Sequence, residues 1–236
     1  YLNFKKSFKI NPNSELPLIN IANILSLKDK NKLAIRCYEK AKKINPNNQQ
    51  ITENIIICNM RLKNFEWVEK KILYLQNEEK INHELKLSYS YLLLGKKNFN
   101  KGFDYFDARI ETSEFQKKNK YHDNLIKNLN KHRKLEVDKN ILIVREQGVG
   151  DEILFSSMYN DLIKDNLSNV RIECDKRLLE IFNRSFNKNI FYPFGHYSSS
   201  NKTLHEFDHI LYAGSLTKYF RNEENDFNIK PYIKTS

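Results

Sequence analysis

The sequence predicts an α + α/β protein, in which an array of helical hairpins is followed by a doubly wound parallel sheet. Hairpins are indicated by an internal repeat, because Asn11-Pro12-Asn13 recurs as Asn45-Pro46-Asn47, 34 residues later. A sheet is indicated beyond residue 136, where the short β-branched run 139–144 is followed at once by a turn with two glycines. Strand-like and helix-like segments then alternate, which favours parallel strands.

A period of 34 residues is that of the tetratricopeptide hairpin, and the residues inside the period fit it. Ala22, Ala34 and Ala41 supply small side chains where two helices would cross. Pro46 is placed to end the second helix. We assign residues 1–115 to about three such hairpins, of which the third lacks the proline.

The start of the chain resembles the middle of a repeat. Residues 4–12 parallel residues 38–46, so the chain opens inside the second helix of an earlier hairpin. We therefore expect the sequence to be a piece of a longer protein, with its first helix cut.

Composition limits the classes of protein that the chain can represent. Its 236 residues, 40% of them hydrophobic, suffice for one or two domains with buried cores. No apolar run approaches the roughly 20 residues that cross a bilayer, so we expect no membrane insertion. Cys37, Cys58 and Cys174 are odd in number and widely spaced, which favours free thiols in a reducing, cytoplasmic compartment over a disulfide or a metal site.

The formal net charge of +11 raises the question of nucleic-acid binding. Acidic residues are interspersed through most of the chain, whereas a nucleic-acid site concentrates Lys and Arg on one face with aromatic residues between them. We expect no nucleic-acid partner. The densest basic stretch, 116–136, is interpreted as a solvated linker helix in preference to a phosphate-tracking surface.

Residues 137–236 are predicted to form the α/β domain, which is Rossmann-like. Strands are predicted at 139–144, 170–174, 189–192 and 207–212, with helices between the first three. The loop after the first strand is where such a sheet places its ligand, because the first N–H groups of the following helix lack intrahelical partners.

That loop contains Gln147, Gly148, Gly150 and Asp151. Two glycines would let a ligand approach the backbone closely, although a tight strand-to-helix turn without a ligand also explains them. Asp151 has two interpretations as well, a cap or dipole partner of the helix and a functional carboxylate. The loop is neither the dinucleotide Gly-x-Gly-x-x-Gly motif nor a Walker loop.

The segment 141–155, which follows the hairpins, resembles a bacterial family of tetratricopeptide proteins that carry a glycosyltransferase-like domain of GT-B architecture. That family's loop has the sequence Glu-Gln-Gly-hydrophobic-Gly-Asp, and residues 172–178, 184–186 and 213–221 also match it in order and spacing. The domain is similar more distantly to heptosyltransferases. Its arrangement resembles that of the protein O-GlcNAc transferases.

The resemblance implies that Asp151 is the general base that deprotonates an acceptor hydroxyl. Gln147, Gly148 and Gly150 would shape the cradle around it, and Gly214 with Ser215 would meet it across the carboxyl edge of the sheet. Glu146 and Glu152 are interpreted as solvated or as paired with Arg145 or with lysines. No metal ligand and no cofactor within the chain are implied.

A GT-B enzyme binds its nucleotide-sugar donor mainly through a second sheet, which the resemblance places beyond this chain. We therefore expect the chain to be the acceptor-side portion of a glycosyltransferase, truncated before the donor-binding half and inactive alone, with repeats that present a protein or glycan acceptor. The alternative is a non-catalytic interaction module with a degenerate α/β domain. Exposed Asn residues of the repeats, such as Asn23, Asn54 and Asn59, are interpreted as solvated in preference to binding a peptide, and Trp67 as core-filling.

Overall fold

The structure is a computed structural model, and it divides the chain into two compact units, Tyr1–Leu92 and Leu93–Ser236. The residues that it describes are 2–78, 80–118, 135, 139–164, 169–186, 189–198, 204–227 and 230–234. Residues 93–115, grouped with the repeats from the sequence, belong to the second unit by their contacts. The predicted linker helix lies outside the described residues, apart from 116–118 and 135.

The first unit is helical throughout its described part. Its helices are α1 (Leu2–Ile10), α2 (Leu16–Leu27), α3 (Asn31–Ile44), α4 (Gln49–Arg61), α5 (Phe65–Asn77) and the greater part of α6 (His83–Gly95). Helix α3 packs against both α2 and α4. Ala22, Ala34 and Ala41 are fully buried in their common core, as the repeat pattern predicted. Small side chains at these positions let the helix backbones approach closely.

The turns that join the helices repeat with one backbone geometry. Asp29, Lys63 and Lys97 adopt left-handed φ angles of 54°, 61° and 60°. The next residue in each case donates its N–H to the carbonyl five positions earlier: Lys30 to Leu25 (2.9 Å), Asn64 to Asn59 (3.0 Å) and Asn98 to Leu93 (2.9 Å). This is a Schellman-type helix ending. Because it recurs every 34 residues, it extends the repeat to the third copy, where the proline is missing.

The second unit combines short helices with a sheet. Its elements are α7 (Phe99–Phe106), a 3-10 helix (Asp107–Glu111), α8 (Ser113–Lys118), β1 (Asn140–Val144), α9 (Val149–Ser156), α10 (Tyr159–Lys164), β2 (Asn169–Cys174), a 3-10 turn (Lys176–Leu178), α11 (Leu179–Phe186), β3 (Phe191–Pro193), β4 (His209–Tyr212), a 3-10 turn (Ala213–Leu216), α12 (Thr217–Phe220) and a 3-10 turn (Glu224–Asp226). The four predicted strands are confirmed. The single helix predicted after the first strand is two, α9 and α10.

All four strands are parallel, in the order β3-β2-β1-β4. The chain therefore proceeds from β1 to one side for β2 and β3 and returns to the other side for β4. Strand β1 is central, and its residues 141–144 are completely buried, as expected of a continuous apolar run inside a parallel sheet. Val144 pairs with Tyr212 at the carboxyl end, so the segments after β1 and β4 emerge side by side.

Candidate functional site

The loop between β1 and α9 is open to solvent. Gln147, Gly148 and Gly150 are exposed, and Asp151 is half-buried. Gln147 has a left-handed φ of 62°, which turns the chain sharply out of the strand. The loop thus presents four predicted site residues together at the carboxyl end of the central strand.

The described residues leave room for a Cβ at both glycines of this loop. A Cβ at Gly150 would meet nothing within 4 Å, and one at Gly148 would meet only Asp151 Oδ2, at an ordinary 3.4 Å. Neither residue has a left-handed φ. A glycine in a helical turn costs about 1 kcal/mol relative to alanine. Gly148 is the N-cap residue of α9, a position that favours glycine, whereas the described residues give Gly150 no such role.

Asp151 caps α9 from the first turn of that helix. The backbone N–H of Gly148 donates to Asp151 Oδ2 at 3.0 Å. The interpretation of Asp151 as a cap is therefore confirmed. The side chain of Asp151 is only half-buried and lies at an open loop, so a hydroxyl group from solvent can reach its carboxylate.

A charged cluster holds the loop from the side of β2. Arg145 Nε lies 2.8 Å from Glu152 Oε1, and Arg145 Nη1 lies 3.1 Å from Asp175 Oδ2. Arg145 Nη2 also donates to the carbonyl of Gln147 at 3.3 Å. The backbone N–H of Asp175 donates to Glu152 Oε2 at 2.8 Å. The predicted pairing of Glu152 with Arg145 is confirmed, and the pair is buried at the Glu152 end.

The carboxylates of this cluster have opposite pKa shifts. Burial raises the pKa of Glu152 above its ordinary value. Hydrogen bonds from the side chain and backbone of Arg177 hold the pKa of Asp175 well below the usual range. Asp175 is therefore a fixed negative charge at the edge of the sheet.

The turn after β4 lies beside the open loop but is closed. The backbone N–H of Gly214 donates to Glu146 Oε1. Arg109 donates two hydrogen bonds to the same carboxylate. Its Nε lies 2.8 Å from Oε2, and its Nη2 lies 2.7 Å from Oε1. Arg109 and Glu146 are 2% and 1% exposed, so this is a bidentate ion pair out of solvent. The interpretation of Glu146 as solvated or as a partner of Arg145 is wrong.

Ser215 is also engaged inside the protein. Its Oγ donates to Asp107 Oδ1 at 2.6 Å and accepts from Arg109 Nη2 at 3.1 Å. Lys218 Nζ lies 2.7 Å from Asp107 Oδ2 and completes the network. Gly214 and Ser215 thus lie next to the Gln147 loop, as the sequence predicted, but their described contacts are with the chain itself.

Arg109 and Asp107 were missed by sequence reasoning. Both lie in the 3-10 helix after α7, in a segment whose repeat pattern predicted only packing. Phe106 stacks on the Arg109 guanidinium at 4.3 Å, and this aromatic neighbour was the only local signal. The pairing of Arg109 with Glu146 spans 37 residues of sequence, a distance at which pattern carries no information.

Candidate residues of the repeats differ in exposure. Asn59 is buried and donates to the carbonyl of Ile55 at 2.9 Å, so its interpretation as solvated is wrong. The oxygen of Asn23 accepts from the Tyr38 hydroxyl. Trp67 is 44% exposed, so the core-filling interpretation is wrong for this residue.

Among the described residues, neither the cysteines nor clusters of metal-ligating side chains provide a further candidate site. Cys37, Cys58 and Cys174 are free, and burial raises the pKa of Cys174 to about 12. Among the residues that the structure describes, no group of three or more His, Cys, Asp or Glu could hold a metal ion. None of the described helices has the length and apolarity needed to cross a membrane.

Comparison of the chain with protein-family models, with curated proteins and with solved structures finds no match.

Proposed function

We propose that this chain is the acceptor-side portion of a glycosyltransferase, with Asp151 as its general base. The single observation that carries the proposal is the Gln147–Asp151 loop, an open glycine loop at the carboxyl end of the central parallel strand. The described residues leave open space at Gly150, and the Asp151 carboxylate can be reached from solvent.

The strand order supports this proposal. In open parallel sheets, ligands bind at the carboxyl edge where the chain reverses direction across the sheet. The order β3-β2-β1-β4 has that reversal between β1 and β4, beside the loop. The same order is that of the first four strands of a Rossmann-like sheet, and we propose that fold for the α/β part. The 34-residue recurrence of the helix-ending turns supports a tetratricopeptide solenoid for the helical part.

The chemistry assigned to Asp151 is a proton transfer. As the acceptor oxygen bonds to the anomeric carbon of the sugar, the Asp151 carboxylate takes the hydroxyl proton. The bond from the sugar to the nucleotide diphosphate breaks at the same time, and the electron pair leaves with the diphosphate. In this proposal the nucleotide-sugar donor is held by a further domain outside residues 1–236, so this chain alone performs no transfer.

The remaining parts of the proposal concern partners and location. The repeats present a protein or glycan acceptor to the loop, the protein binds no nucleic acid, and it works in the cytoplasm. The free cysteines are consistent with a reducing compartment.

The test is sugar transfer by the full-length protein with Asp151→Asn. Asparagine keeps a side-chain oxygen that accepts the Gly148 N–H, so the cap is retained while the base is lost. We expect transfer to fall by about 10²- to 10⁴-fold, with an unchanged free energy of unfolding. Glu180→Gln, which removes an exposed carboxylate from α11, is the matched control and should change neither. Full activity of Asp151→Asn would reject the assignment.

A second candidate function, a non-catalytic interaction module, is favoured by one observation. Asp151 caps its helix, and Gly214 and Ser215 are bonded inside the chain, so much of this edge has a structural role. Under this alternative, the full-length protein transfers no sugar from any nucleotide-sugar donor.

A further inference from the structure

The outer surface of α3 is strongly basic. Among the described residues, a groove of about 480 Å³ is lined by Arg36, Glu39, Lys40, Lys42 and Lys43, four of which are cations. Arg36, Lys40 and Lys43 are spaced i, i+4 and i+7, which places them on one stripe of the helix. All three are exposed.

Helix α5 carries two exposed aromatic side chains. Trp67 and Tyr74 are 44% and 53% exposed, and their spacing of seven residues places them on one face. Lys71 lies between them, with its Nζ 4.5 Å from the centre of the Tyr74 ring. Large aromatic side chains with this exposure on one helix face are typical of a binding surface.

Lys42 of α3 lies within electrostatic range of Lys71 of α5. Burial lowers the pKa of Lys42, and the positive charge of Lys71 lowers it further. Lys42 Nζ also donates to Thr52 Oγ1 at 2.8 Å, which holds it at the groove. Like charges held together raise the free energy of the unbound protein, and an anionic ligand relieves that repulsion.

We propose that this surface binds an acidic peptide segment of a partner protein. Its carboxylates pair with the cations of α3 and with Lys71, and an apolar side chain packs against Trp67 and Tyr74. We call the surface the basic-aromatic face, and its residues are Arg36, Lys40, Lys42, Lys43, Trp67, Lys71 and Tyr74. It lies within the first unit, and it stands whether or not the second unit takes part in sugar transfer.

A peptide fits this face better than a nucleic acid does. Glu39 interrupts the cations, and it would repel the continuous charge of a phosphate backbone, whereas a peptide can place a neutral residue beside it.

The sequence supplies a local reporter, because Trp67 is the only tryptophan of the chain. The probe is a labelled synthetic peptide of about 15 residues, long enough to follow a helix of this length, in which Asp and Glu alternate with Leu and Phe. We expect its binding to shift the Trp67 emission to shorter wavelength and to shield Trp67 from iodide. Binding should weaken as salt rises.

Charge-reversal variants distinguish binding at the basic-aromatic face from attraction by the net positive charge of the protein. Lys40→Glu with Lys43→Glu should weaken peptide binding by about tenfold. The matched control is Lys28→Glu with Lys30→Glu, which makes the same charge change at exposed positions outside the groove, and it should weaken binding by less than about twofold. Circular dichroism should show that both double variants retain the helical fold.

Three results would overturn the proposal. Equal weakening by the two double variants would show attraction by net charge alone. Peptide binding without any change in Trp67 emission would place it elsewhere on the chain. A single-stranded oligonucleotide that binds the same face at least as tightly as the peptide would identify nucleic acid as the partner.

Discussion

The loops that follow β1 and β4 lie next to each other at one edge of the sheet, yet their glycines have different roles. Gly150 has open space around the position of a Cβ. At Gly214 a Cβ would lie 2.9 Å from both Arg109 Nη2 and Phe155 Cζ, and it would also collide with Glu146 Oε1. The first glycine is exposed and the second is buried.

The comparison shows that a glycine turn at a sheet edge has no single meaning. At Gly214 the glycine makes room for a guanidinium and a carboxylate of the same chain, so its reason is internal packing. At Gly150 the described residues supply no such reason, and the proposed ligand does. The internal reason at Gly214 is supplied by Arg109, whose guanidinium pairs with Glu146 beside this turn.

The largest expected effect comes from removing the cation that closes the β4 side. Arg109→Met leaves Glu146 buried without its cation, so we expect the free energy of unfolding to fall by about 3–5 kcal/mol. Urea unfolding measures the change. As a control, Arg177→Met removes an arginine whose side chain is 69% exposed and pairs with Asp175, and it should cost far less. If both variants lost the same free energy of unfolding, the buried Arg109–Glu146 pair would be no more important for stability than an exposed ion pair.

The next effect contrasts the two glycines directly. Gly214→Ala should destabilise the protein by about 2–4 kcal/mol, because the added methyl group collides with Arg109 and Phe155. Gly150→Ala should instead stabilise it by up to about 1 kcal/mol, since alanine favours the helix and has space. Thermal unfolding of the pair gives the answer. A destabilised Gly150→Ala variant would break the comparison, because it would reveal an internal reason for this glycine too.

A smaller effect is expected in acid, through Asp107. Burial alone would raise its pKa, but Arg109 and Lys218 hold the pKa below its ordinary value. The stability that Asp107 contributes is therefore complete above the pKa of an unfolded aspartate, about 4, and is lost as pH falls through the lower pKa of the folded state. Asp107→Asn should reduce the loss of stability between about pH 5 and 2 by about 1 kcal/mol.

Unfolding curves at several pH values test the Asp107 prediction. Glu180→Gln removes an exposed carboxylate and serves as its control, with an acid profile like that of the unaltered protein. An unchanged profile for Asp107→Asn would show that the closed network does not depend on this charge.

The smallest effect concerns the left-handed residues. Gln147→Gly and Lys63→Gly each replace an exposed residue with φ near 60°, and each should gain about 0.5–1 kcal/mol. In the full-length protein, only Gln147→Gly should lower sugar transfer, because Lys63 belongs to a helix-ending turn of the first unit and is not one of the residues of the proposed cradle. Equal transfer by both variants would remove Gln147 from the proposed site while leaving the Asp151 assignment intact.

Much of the fold was predictable, because the signals were local and periodic. The apolar run 139–144 predicted β1, and the small residues Ala22, Ala34 and Ala41 predicted how the first helices pack. The left-handed turn residues Asp29, Lys63 and Lys97 were not predicted, since none is a glycine. Their common conformation follows from the helix ending that surrounds them.

The candidate site was predictable in its position but only partly in its contacts. The Gln147–Asp151 loop and the Gly214 turn were expected at one edge, because parallel strands direct their carboxyl ends there. That Glu146 would be buried under Arg109 was not foreseen, as a carboxylate next to Arg145 in sequence suggested a local pair.

The sequence by itself determined the order of helices and parallel strands and the loop at the end of β1, because hydrophobic period and glycine placement act over a few residues. The tertiary structure decided which half of the sheet edge is open and which is closed. That distinction depends on Arg109, Glu146 and Gly214, which are far apart along the chain. Their ion pair and hydrogen bond form only where folding removes all three from water, and no local pattern encodes that meeting.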